Sequence, residues 1–252
     1  MPCSIRLNPV RAETYGGTRH PVSLTRSAED DPNELNIEGV EAYCQILNVD
    51  MGNYEFFVLA DIIQMQSLGQ VTRECFVKGW KQVWEETKGK VSPDMVAHQR
   101  YVRSQIGLVR TDPAVFRKVY RSAFTAGKEQ GKREMGMGEA LAYWGELLAP
   151  TMQRWKTANV DWLQAWADYL TERFGNTKLG DEGEEVIEYK RTVSRDLWNQ
   201  TLVFAEKTMQ DETLGFWSEE QAWPGLIDEF VVWCQEKGIA VANNDETMEV
   251  EA

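Results

Sequence analysis

Histidine is almost absent from this chain: His20 and His98 are the two among 252 residues. That leaves little room for a histidine metal site or a nucleophile–histidine triad. The four cysteines, Cys3, Cys44, Cys75 and Cys234, stand far apart without a CxxC pair, so neither a zinc site nor a disulfide framework is signalled. They read as small buried hydrophobes of a reducing compartment. No apolar run approaches the length that spans a bilayer, and the N-terminus lacks the apolar stretch of a secretory signal. Gly131 and Gly136-Met137-Gly138 match neither the P-loop nor the dinucleotide fingerprint. Sustained period-two alternation is missing as well, which predicts an all-α fold. Positive charge is short: 27 Lys and Arg face 40 Asp and Glu, a formal net charge of −13. That balance argues against nucleic acid and anionic membranes and makes a basic protein surface the natural partner. The expectation is a soluble intracellular protein, cytoplasmic and nuclear.

What is present is apolar mass. Hydrophobic residues make up 42% of the chain, with 10 Trp, enough for a sizeable core. Residues 1–35, with Pro2, Pro9, Pro21, Pro32 and Gly16-Gly17, read as a disordered leader. Residues 36–240 read as one domain and 241–252 as an acidic disordered tail. Ile37, Val40, Tyr43, Cys44 and Leu47 recur at helical spacing, and Asn48 to Gly52 is a turn. Phe56, Leu59, Ala60 and Ile63 continue with Phe57, Val58 and Ile62 beside them, which predicts a central helix apolar on most faces. Thr72 opens a third helix through Trp80 and Trp84. Ser92-Pro93-Asp94 starts a fourth with Pro93 at its first position, and Asp112-Pro113 a fifth.

A basic loop from Lys128 to Gly138 leads to a helix through Leu141, Trp144 and Leu147. Trp155, Trp162, Trp166, Tyr169 and Leu170 are expected to line the next helix. Gly175 to Glu188 reads as an exposed acidic loop. Asp196 is the cap candidate for a helix from Leu197 to Met209. Ser218-x-x-Gln221 fits a capping box of a separate, short first turn, since Pro224 marks the start of a last helix with Leu226, Ile227, Phe230 and Trp233 on its apolar face.

Little catalytic chemistry emerges from these residues. A calcium loop needs alternating early oxygen ligands and a Glu at the twelfth position, and Asn48 to Asn53 supplies too few. Carboxylate pairs such as Asp181 and Glu182 read as a solvated acidic face. Lys128, Lys132 and Arg133 read as a solvated connection. No cofactor and no metal are expected.

Several blocks carry more. Val40-Glu41-Ala42-Tyr43-Cys44 leads to Val49-Asp50; Thr72 to Trp80, Ala140 to Trp144 and Asp196-Leu197-Trp198-Asn199 follow; Ala222-Trp223-Pro224-Gly225-Leu226-Ile227-Asp228 closes the series. In this order and approximate spacing they resemble the cullin-neddylation potentiating domain of the defective-in-cullin-neddylation family, over roughly Ile37 to Gly238. The resemblance implies a multi-helix domain of EF-hand-like helix pairs without calcium ligands. It implies a non-catalytic scaffold that promotes transfer of a ubiquitin-like modifier from its conjugating enzyme to cullins, not an enzyme in its own right. Two partners are implied: the cullin winged-helix domain, and the acetylated N-terminal tail of the conjugating enzyme.

The implied cullin patch falls on Asp196, Ala222 and Asp228. Two carboxylates at helix starts, flanking a small residue that permits close approach, suit a basic surface. The implied tail pocket includes Ile37, Val40, Tyr43, Phe56, Leu59, Ala60, Ile63, Leu68, Tyr143 and Leu147. Acetylation removes the terminal charge, so an apolar pocket can bury that end without an unpaired ammonium. Without the resemblance these positions are simply core.

Three departures from the family pattern stand out. Met1 to Glu34 is too short and unpatterned for the ubiquitin-associated domain of many relatives, so ubiquitin binding is not carried over. Ala126 and Glu146 stand where relatives place large apolar pocket residues, and Gly175 to Ser194 looks expanded. On composition alone, rivals stay open: a generic helical adaptor for a basic partner, an EF-hand-like metal sensor, and a hydrolase using a carboxylate pair.

Overall fold

Side-chain caps set most of the helix starts in the computed structural model, which describes residues 33–239 apart from Leu68, 150–154, 181–182 and Glu219. The expected leader up to residue 32 and the acidic tail lie outside the described residues. Helix α1 (Ile37–Leu47) is capped by Asn36, whose side chain accepts from the Gly39 amide, and it ends at Asn48 in the left-handed region, φ 57°. Helix α2 (Glu55–Ile62) follows. Thr72 caps α3 (Arg73–Glu86), Asp94 caps α4 (Met95–Val109), and Asp112 caps α5 (Pro113–Gly127) with Pro113 in the first turn. Pro93 therefore precedes α4 and is not its first residue, because Asp94 offers a side-chain oxygen to the Val96 and Ala97 amides.

Helix α6 (Met137–Leu147) is followed by α7 (Trp162–Phe174), capped by Asp161. Trp155 was expected on that helix and lies ahead of it, still buried, with its indole donating to the Thr208 hydroxyl at 2.8 Å. Helix α8 (Arg195–Thr208) is capped by Ser194, not by the expected Asp196: the Ser194 hydroxyl accepts from the Leu197 amide at 3.1 Å. Helix α9 (Gly225–Glu236) starts one residue after Pro224, whose carbonyl accepts from the Ile227 amide at 2.7 Å.

The chain is mostly helical, but strict all-α is corrected by three antiparallel strand pairs among the described residues. β1 (Glu34–Leu35) pairs with β2 (Val71–Thr72), and β3 (Met135–Gly136) with β6 (Thr192–Val193). Each of these four strands leads directly into a helix: α1, α3, α6 and α8. Two residues are too few for a period to register. Glu34 and Leu35, read from sequence as the end of the leader, thus belong to the domain's hydrogen-bonded frame. β4 (Gly175–Leu179) and β5 (Glu185–Tyr189) form a hairpin where an exposed loop was expected, with Gly175 opposite Tyr189 and Leu179 opposite Glu185. Most of its residues are exposed, Leu179 at 78%, so neither face needs the apolar alternation that marks a half-buried strand.

Helix α2 lies at the centre, with Phe56 to Ala60 and Ile62 all buried. Gly79 lets α3 approach it closely: a Cβ there would sit 2.1 Å from the Ile62 carbonyl oxygen. The same core continues through α5, α6 and α8. Tyr120 and Trp144 both stack on Trp198, with ring centroids 4.6 and 5.2 Å away. The polar atoms are satisfied in a closed set: Trp144 Nε1 donates to the Tyr120 hydroxyl, which donates to the Trp198 carbonyl, while Trp198 Nε1 donates to the Tyr120 carbonyl. Among the described residues no helix is long and apolar enough to cross a membrane.

Candidate functional site

The acidic edge is built by the starts of α8 and α9 and the loop between them. Because Ser194 caps α8, Asp196 sits in the first turn with its carboxylate exposed and without a hydrogen bond or ion pair among the described residues. A negative charge there is favoured by the helix dipole without being needed as a cap. Asp228, in the first turn of α9, is half-buried and accepts from Trp217 Nε1 at 2.9 Å. Ala222 is exposed just ahead of α9.

The loop carrying Ala222 is pinned by aromatic contacts. Phe204 of α8 meets Phe216 and Trp223 edge-on at 5.6 and 5.7 Å, and Gln221 bridges the Phe216 carbonyl and Trp223 Nε1. The Gln221 amide bonds the Ser218 carbonyl and α9 starts only after Pro224, so this turn is separate from the helix, as Pro224 implied. Ala222 and Asp228 therefore flank one helix start. Asp196 stands apart: it lies eight residues before Phe204 on α8, roughly 12 Å along the axis.

Beside Asp228 a groove of about 490 Å³ opens between α7 and α9. The Glu229 carboxylate accepts from the Tyr169 hydroxyl at 3.2 Å and lies 4.0 Å from Arg173. Burial, reinforced by Glu229, pushes the Tyr169 phenol well above its ordinary value. Trp217 escaped the sequence reading, and Tyr169, expected there only as a helix-lining residue, was not tied to Glu229. Trp217 stands eleven residues from its partner, outside any helical or strand period, and no local pattern marks the pair.

The second residue set is sealed. Val40 and Tyr43 on α1, Phe56, Leu59 and Ala60 on α2, Ile63 just after it and Leu147 on α6 are all buried, and Leu59, Ala60, Ile63 and Leu147 have no exposed surface. Ile37 is the exception, 46% exposed and packed over Gly69. Tyr143 is half-buried with its ring 4.5 Å from Phe57, and burial pushes its phenol up to about 12. Leu68 lies outside the described residues. Of the departures, Ala126 is fully buried, while Glu146 is half-buried with its carboxyl raised by burial and then by Asp50.

Two polar clusters brace this region. Arg103 donates to both oxygens of Glu55, at 3.1 and 3.2 Å, and to the Asn48 carbonyl, tying α4 to the turn between α1 and α2. Buried His98 stacks on Trp80 with centroids 3.5 Å apart and bonds the Tyr43 hydroxyl through Nδ1 at 3.1 Å. In the turn from Asn48 to Asn53, Asp50 accepts from the Gly52 amide and the Asn53 side chain, so its oxygens close the turn. Among the described residues no group of three His, Cys, Asp or Glu is placed to hold a metal ion.

Comparison with known proteins adds family context. A family model described as cullin binding matches residues 94–233, more than half of the chain. Defective in cullin neddylation protein 1 of Pyricularia oryzae is 34% identical over 233 residues, 88% of this chain and 75% of the relative. The protein of the same name in Yarrowia lipolytica is 27% identical over 82% of this chain and 73% of its own. Human DCN1-like protein 5 is 27% identical over 78% and 69% respectively.

Proposed function

This chain belongs to the cullin-binding family, and from that premise we propose that it acts in cullin neddylation as a non-catalytic scaffold. In this reading the acidic edge holds the winged-helix domain of a cullin, and the α2 region takes the acetylated N-terminal tail of the conjugating enzyme. The transferred modifier, the thioester and the acceptor lysine all belong to the partners. The contribution of this chain is to raise their effective concentration and restrict their orientation. The strand-then-helix units at α1, α3, α6 and α8, paired through β1–β2 and β3–β6, support an EF-hand-like reading of the helix pairs.

One observation carries the cullin assignment. Ser194 takes over the capping of α8, so the exposed Asp196 carboxylate is left free for a basic partner. Asp228 is oriented by Trp217, and Ala222, small and exposed just ahead of α9, leaves room for a partner to approach beside it. The tail assignment carries a structural demand. Within the described lining only Ile37 and Tyr143 offer more than marginal surface, so a tail that reaches Leu59 or Leu147 must displace side chains.

The test is a titration of the full chain with a cullin winged-helix domain, alongside Asp196→Lys and the Asp196→Lys/Asp228→Lys double variant. Salt-sensitive binding that weakens more than about tenfold in the single variant and further in the double is expected. The Asp228 substitution also removes the Trp217 bond, so thermal melts accompany both variants. Unchanged affinity in a folded Asp196→Lys chain would overturn the patch.

A further inference from the structure

The outer face of α5 runs against the charge of the rest of the chain. The helix carries Arg117, Lys118 and Arg121 and no carboxylate, in a protein of net charge −13. Positions 117, 118, 121, 122 and 125 recur at three- and four-residue spacing and share one face, while Phe116, Tyr120, Ala123 and Phe124 are buried on the other. Arg195, the first residue of α8, joins them to line an open groove of about 510 Å³.

Two of the four cations are matched inside the fold: Arg117 Nε donates to Glu206 at 2.8 Å, and Lys118 lies 3.2 Å from Asp61. The other two have no carboxylate partner among the described residues. Arg195 donates to the Thr125 hydroxyl at 3.2 Å and lies over the Phe124 ring, 5.1 Å from its centroid. Arg121 has no ion pair among the described residues. Arg117 and Arg121 stand four apart on one helix, a spacing at which like charges repel. The positive end of the α8 dipole adds to the same field. A merely solvated basic face would disperse its cations; here they converge on one concavity with the Ser122 and Thr125 hydroxyls between them.

We propose that this groove docks a short acidic peptide segment of a protein partner. Side-chain carboxylates match the forked donors of Arg121 and Arg195, while the Ser122 hydroxyl is engaged by Asp61 and the Thr125 hydroxyl by Arg195. An extended nucleic acid fits poorly, since it would run from the groove onto a surface of its own charge sign. Arg195 and Asp196 are consecutive on α8, about 100° apart around its axis, so the basic groove borders the acidic edge. The proposal stands on α5 and Arg195, not on the reading of Asp196.

A fluorescence-anisotropy titration of the full chain with a fluorescein-labelled oligoglutamate peptide tests it. Saturable, salt-sensitive binding is expected, with none for the oligoglutamine counterpart, and a loss of about tenfold or more in Arg121→Glu/Arg195→Glu. Arg121→Glu alone removes no ion pair of the fold and should weaken binding severalfold with an unchanged thermal melt. Absence of saturable binding, equal affinity in the folded variants, or tighter binding of a single-stranded oligonucleotide of equal charge would overturn the proposal. A chain with Asp245→Asn, Glu246→Gln, Glu249→Gln and Glu251→Gln should bind the probe as the parent does. Tighter binding by that chain would make the protein's own tail the occupant and overturn docking of an external partner.

Discussion

Around α2 every residue from Phe56 to Ala60 is buried, whereas at the starts of α8 and α9 Asp196 and Ala222 are exposed and Asp228 is half-buried. In the first region the side chains that would contact a ligand are also the ones that hold the helices together. At the second, the structural needs are met by other groups: Ser194 caps α8, Phe204 and Trp223 pin the loop, and the Trp217 indole orients Asp228. On the proposed reading, binding at the edge is therefore separable from folding and binding at α2 is not, because removing a contact there also opens a cavity.

The sharpest way to break that contrast is Leu59→Ala. If Leu59 is sealed core, truncation should cost about 2–5 kcal/mol, read as a lower urea midpoint with an unchanged slope. A cost under about 1 kcal/mol would mean that the site is already an open pocket able to collapse around the loss.

A smaller effect is expected at the edge. Asp196→Ala removes a favourable dipole interaction and no cap, so stability should fall by only about 0.3–1 kcal/mol at low salt. A loss above about 2 kcal/mol in a denaturant melt would place Asp196 in the structural frame and end the separation of the two regions.

The smallest expected effect is a slope in pH. Burial disfavours the charged form of His98 and holds its pKa below the ordinary 6.5, with Asp94 pulling the other way. A histidine kept neutral in the fold contributes its full stability above pH 6.5, and that contribution drains as the pH falls toward the folded pKa, because the unfolded chain takes the proton more readily. Urea stability should fall more between about pH 7 and pH 5 in the parent than in His98→Phe, which keeps an aromatic ring beside Trp80. Equal slopes would show that His98 is protonated as easily in the fold as out of it.

Much of the helical frame was legible beforehand. The long apolar periods of α1, α2 and α5 and the cap residues Thr72 and Asp112 act within one or two turns, so their signal is local. Four features were not legible, each for its own reason. The strands that lead into helices are two residues long. The β4–β5 hairpin has no buried face to impose alternation. Trp155 reads as helical by composition, yet it is held ahead of the helix by packing on Trp166 and Phe204 and by a bond to Thr208, 53 residues away. Ser194 and Asp196 are both good capping residues, and the choice between them rested on where β6 delivers the chain after pairing with β3.

By itself the sequence determined the helical class, the acidic balance, the central place of α2 and the order of blocks that marks the family, because periodicity, charge and motif order are properties of the linear chain. Only the tertiary structure decided that Asp196 is free of capping, that Asp228 is held by Trp217, and that Arg195 meets the cations of α5 in one groove. Those relations join residues that are distant in sequence or equivalent in local propensity. They exist only once the packing of the helices has brought the side chains within hydrogen-bonding or electrostatic range.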